Sequence, residues 1–149
     1  MGKTLIWKFK FLLIFFSASL LGCETSVYDP AGDAIKSTAL IIEAIQLEDS
    51  LDNDIIKARY IYLMKEVLKV RKYVTRVSLN MRYKEWGDMF HDYLLKGAEL
   101  TIEGDLESDP NISLQKLSRA SKHINKYGNW WNKNRVKIAA KLDKEKKEF

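Results

Sequence analysis

From Ile56 to Val77 the apolar side chains return at alternating four- and three-residue steps: Ile56, Tyr60, Leu63, Val67, Val70, Val74 and Val77. Only a helix gathers that spacing onto one face, and Met64 and Leu68 widen the seam on its flank. The seam loses phase near Ser78-Leu79-Asn80, too soon for a long coiled coil, so antiparallel bundle packing is its predicted use.

The neighbouring segments repeat the pattern. A first helix is predicted over 34–48, with Ile35, Thr38, Ile42 and Ile45 on one face and Ala34 and Ile41 broadening it. Asp49-Ser50-Leu51-Asp52-Asn53 interrupts it with turn-forming residues. A third helix is predicted over 82–103, through Tyr83, Trp86, Phe90, Tyr93, Gly97 and Leu100, with Gly97 admitting a close neighbour and Gly104 as C-terminal cap. After a loop over 104–112, Ser113 starts a fourth helix through Leu114, Leu117, Ser121 and Ile124, ending near Gly128-Asn129. A last helix takes Trp131, Arg135, Ile138 and Leu142. The fold predicted over 34–149 is all-α, a small antiparallel bundle of four to five helices behind an N-terminal signal segment.

That front segment differs from the rest. Lys3, Lys8 and Lys10 open the chain without a compensating acid, and an uncharged run from Phe11 to Leu21 leads into Gly22-Cys23. A basic start, a short apolar stretch and a small residue before a cleavage point describe a secretory signal over 1–22. The run is short for a membrane span. Leu20-Leu21-Gly22-Cys23 resembles the lipobox of bacterial lipoproteins. The resemblance implies cleavage between Gly22 and Cys23, acylation of Cys23, and a tether over 23–33 leading to the bundle. Lipoproteins retained in the inner membrane of enteric bacteria typically carry Asp after the cysteine. Glu24 therefore points to the outer membrane, facing the periplasm. Two or more acyl chains give stable anchoring where one is marginal.

Cys23 is the only cysteine, so lipidation leaves no thiol for catalysis, metal binding or a disulfide. Removing the three lysines of the signal brings a formal charge of +5 close to balance, which gives no case for a nucleic-acid partner. The charge is nonetheless segregated: 33–54 and 85–109 are strongly acidic, 55–84 and 110–149 strongly basic. Alternation of sign favours sequential helices as antiparallel neighbours.

Candidate chemistry is sparse. Asp105, Glu107, Asp109, Asn111 and Ser113 alternate like calcium ligands, but Pro110 and Lys116 stand where such a loop needs glycine and a bidentate glutamate. Asp88, His91 and Asp92 suggest a metal or acid–base cluster, and Glu85, Asp88, Asp92 and Glu99 offer paired carboxylates for a cell-wall or lipid-active enzyme. No complete zinc set, nucleophile motif or phosphate loop accompanies them, so no catalytic residue, metal or cofactor is assigned. Trp130 and Trp131 point about 100° apart on a helix, so one core face hardly hides both, and the two are candidates of which one anchors a partner, beside the lysines of 133–147. The expected function is a membrane-anchored envelope lipoprotein, held in the bilayer through acylated Cys23, acting without catalysis as a protein-binding or scaffold module. Its expected partner is another envelope protein. Secretion pilotins and exclusion or immunity lipoproteins are similar in size and layout.

Overall fold

The computed structural model describes residues 29–148, which form helices and short turns with no strand among them. The proposed signal, Gly22, Cys23 and the tether up to residue 28 lie outside the described residues. Helix α1 spans Pro30–Leu47 and starts ahead of the expected Ala34. Asp29 caps it by accepting the Ala31 N–H, and Pro30 takes the first helical position, where its missing N–H costs nothing. The expected tether is thus already helical from Pro30. Its buried stripe holds Ala31, Ala34, Thr38, Ile41, Ala44 and Ile45, while Ile35 and Ile42 are only partly covered. Alanines set the innermost line because they let the helix sit close to its neighbours.

The heptad seam becomes two helices. Helix α2, Asp54–Lys69, is capped by Asn53, which accepts from Ile55 and Ile56 N–H, and buries Tyr60, Leu63, Met64 and Val67. A 3-10 turn over Val70–Lys72 then bends the chain, Val74 plugs the core, and Thr75 caps α3, Arg76–Arg82, by accepting the Ser78 N–H. Val77, the last residue of the seam, is 67% exposed as a result.

Glu85 adopts a left-handed conformation (φ 67°) and redirects the chain into α4, Trp86–Met89. A π-helical turn over Phe90–Leu95 follows without a break, and then α5, Lys96–Leu106. The extra residue in the π turn rotates the register, so Leu94 and Leu95 enter the core and Tyr93 moves to its edge. Helix α6 runs unbroken over Pro110–Lys147 for 38 residues, about 57 Å at 1.5 Å per residue. The predicted break at Gly128-Asn129 does not occur. Asp109 and Pro110 provide the cap and first position in place of Ser113.

Helices α5 and α6 make the closest crossing. A β-carbon on Gly97 would lie 2.5 Å from Ile124 Cγ1, and one on Gly104 would lie 2.8 Å from Leu117 Cγ. Gly104 is therefore a contact point inside α5 and not its cap. At the centre, Trp86, Phe90, Tyr127 and Trp131 pack ring against ring, with Tyr127 and Trp131 stacked at 6.2 Å.

Ion pairs fix the orientation of the rods. Arg59 reaches Glu43 at 2.8 Å across the α1–α2 hairpin, and Lys57 reaches Asp105 at 3.2 Å, which brings the α1–α2 and α5–α6 turns to the same end. The other end holds the start of α1, the Val70–Lys72 turn, α3 and the last third of α6, joined by an Arg82–Glu145 pair and by Tyr83 donating to Asn134 at 2.9 Å. The two-turn end is acidic, through Asp49, Asp52 and Asp54 on one turn and Glu103 to Asp109 on the other. The opposite end is basic. The chain therefore carries a charge dipole along its long axis.

Candidate functional site

The carboxylates that suggested catalysis are engaged in structure. The Arg76 guanidinium donates to Asp88 at 2.9 Å and to both oxygens of Asp92 at 2.8 and 2.7 Å, clamping α3 to α4 and the π turn. Those bonds hold the Asp92 carboxyl below its ordinary range. Glu99 accepts from Lys96 at 2.9 Å and from Arg71 at 3.3 Å and is likewise lowered. Glu85 serves the backbone turn. His91 Nε2 lies 2.6 Å from the Val74 carbonyl oxygen, a bond that requires the proton on that nitrogen. Among the described residues no group of three or more histidine, cysteine or acidic side chains is placed to hold a metal ion. In the acidic loop, Asp109 caps α6 and Glu107 pairs with Lys116 at 3.4 Å.

The tryptophan pair divides. Trp131 is 1% exposed, packed against Trp86 and Tyr127, so the core claims it and the partner-contact reading fails there. Trp130 is half-buried on the rim, with its ring 6.2 Å from Tyr83 in an edge-to-face pair and 6.1 Å from Tyr127.

Two features escaped the sequence. Leu114, expected in the bundle, stands exposed at the acidic end, as does Leu106, while Leu117 packs against Gly104 at the α5 crossing and is only partly covered. Leu106 is 77% and Leu114 67% exposed. The apolar run there was legible, but not that the tight Gly104–Leu117 crossing would leave the first turns of α6 outside the core. The second is Glu48, at the end of α1, whose carboxyl accepts the Tyr60 hydroxyl at 3.3 Å. Burial pushes that carboxyl up to about 8.

Shallow relief completes the surface. An open groove beside the Lys57–Asp105 pair is lined by Asp54, Ala58, Ile61 and Tyr62. Among the described residues no helix is long and apolar enough to cross a membrane. No protein-family model, curated protein or solved structure matches this chain.

Proposed function

We propose that this protein is a lipid-anchored envelope lipoprotein, acylated at Cys23, that works by binding another envelope protein and not by catalysis. The lipobox-like Leu20-Leu21-Gly22-Cys23 supports the anchor. The observation that carries the binding role is a contrast. The carboxylates an enzyme would need are tied up by Arg76, Arg71 and Lys96, while large apolar side chains stand free of the core at Leu106 and Leu114. Large exposed apolar side chains set among charged residues suit protein contact.

A photo-crosslinking residue at position 106 or 114, introduced in the cell, should give one discrete adduct with an envelope protein. Leu114→Asp combined with the crosslinker at 106 should abolish it. Incorporation of labelled fatty acid should require Cys23. Absence of any adduct, together with loss of cellular function in Asp88→Asn or Asp92→Asn at normal fold and location, would replace this reading with the enzyme.

A further inference from the structure

We infer that the bundle docks on the bilayer that anchors it, basic end down, with Val77 and Met81 of α3 at the headgroup level of an anionic lipid surface. This inference rests on acylation of Cys23. The chain between Cys23 and Asp29 extends at most about 20 Å, since an extended residue spans no more than ~3.6 Å. An acyl group on Cys23 thus keeps the start of α1 close to the lipid, and α1 starts at the end that holds α3 and the last third of α6. The acidic turns are directed away.

The surface at that end suits lipid. Val77 and Met81, 67% and 77% exposed, are one helical turn apart on the outer side of α3. The exposed ring of Tyr73 precedes them, an aromatic type enriched at membrane–water interfaces. Lys72 and Lys84 bracket the apolar pair from the two ends of α3, both exposed. On α6, Lys133, Lys137, Lys141 and Lys144 repeat at four- and three-residue steps on the side opposite Ile124, Trp131 and Ile138, all exposed, with exposed Val136 between them.

Basic side chains near an anionic leaflet are attracted within about a Debye length. In the reverse orientation the carboxylates of the two turns would come within that range and be repelled. Both ends of the charge dipole therefore turn the molecule the same way, and burial of the small apolar pair adds a short-range contribution at contact.

Methionine oxidation tests the orientation on the full acylated chain. The protein is bound to vesicles of phosphatidylethanolamine with phosphatidylglycerol, or to phosphatidylcholine vesicles, and treated with chloramine-T, a charged oxidant excluded from the bilayer. Sulfoxide at Met81 and at fully buried Met64 is read by mass spectrometry. Met81 should oxidise at least about fivefold more slowly on the anionic vesicles, and molar salt should remove the difference. Lys72→Glu with Lys84→Glu should restore fast oxidation while Met64 stays slow, which shows the fold intact. Equal Met81 rates on the two vesicle types overturn the inference. Protection that arises only on adding envelope protein assigns the face to a protein and overturns it equally. The mass of the peptide bearing Cys23, taken from the same digest, judges the anchor separately. An unmodified cysteine refutes the anchoring reading, while the vesicle comparison still decides whether this face binds lipid.

Discussion

Gly87 lies so close to Arg76 that a β-carbon on it would sit 1.9 Å from the Arg76 carbonyl oxygen. The contact is with backbone, so no side-chain adjustment relieves it. This approach lets α4 pass across the start of α3 and brings Asp88 and Asp92 within reach of the Arg76 side chain. Gly87→Ala should therefore cost about 3 kcal/mol or more, the upper range for overpacking, because the α3–α4 corner must separate. Gly128 is the control: nothing lies within 4 Å of its β-position in the middle of α6. Gly128→Ala should stabilise by about 0.5–1 kcal/mol through helix propensity alone. Urea denaturation of both variants checks the pair, and a stabilising Gly87→Ala would contradict the packing described.

Trp131→Ala should cost roughly 3–5 kcal/mol, as for other fully buried large aromatics. Trp130→Ala should cost about 1–2 kcal/mol, reflecting one edge-to-face pair and partial burial. Equal losses in thermal melts would mean that both rings belong to the core.

Thr38 and Tyr127 share a 2.8 Å hydrogen bond between α1 and α6, and the Thr38 hydroxyl donates to the Ala34 carbonyl at 2.8 Å. Tyr127→Phe leaves the threonine hydroxyl with one buried partner. The expected loss is about 1–2 kcal/mol, and the double variant with Thr38→Val should recover part of it. Stability measured across that double-mutant cycle is the check.

Stability should fall as pH rises through neutrality. Glu48 titrates near its ordinary value of 4.5 when unfolded, and burial raises it to about 8 in the fold. Between those values the native state holds a proton that the unfolded chain has lost, so the contribution is complete below pH 4.5 and lost as pH approaches 8. Asp92 and Glu99, lowered by their cationic partners, act in the opposite sense: their contribution is present above the ordinary carboxylate range and lost as acid protonates them. Glu48→Gln should flatten the decline between pH 4.5 and 8 and leave the loss below pH 4.5 unchanged in melts run from pH 3 to 9. An unchanged slope between pH 4.5 and 8 would refute the assignment to Glu48.

Asp88→Asn and Asp92→Asn should each change stability by no more than about 1 kcal/mol, since their pairs with Arg76 are half-exposed. Cellular function should persist in both. Loss of function at unchanged stability and location would restore a catalytic role to the cluster.

The helical class and most of the core were legible because periodicity reports burial directly. Tyr60, Leu63, Val67, Val74, Trp86, Phe90, Ile124, Trp131 and Ile138 are buried as the spacing implied. The interruption of the seam was not, because Val70-Arg71-Lys72-Tyr73 contains neither glycine nor proline and a 3-10 turn needs neither. Thr75 was its one local signal. At Gly128-Asn129 the sequence offered a break that packing overrode, since Tyr127 and Trp131 on either side are fixed in the same core. The Arg76 clamp was invisible for a different reason. It joins residues 12 and 16 apart in the chain across a left-handed Glu85, a conformation no pattern at that residue announces. The exposed leucines of α6 followed from a crossing point that only the glycines of α5 define.

Because α6 is one unbroken rod, it acts as a lever between the two ends of the molecule. Its first turns carry Leu114 at the acidic end and its last turns carry the lysines at the basic end. A tilt of about 10° at one end sweeps the other through roughly 10 Å over a rod of this length. Two separate helices hinged at Gly128 would have absorbed such a tilt at the joint. Continuity instead makes the height and bearing of Leu114 a direct readout of how the opposite end is seated.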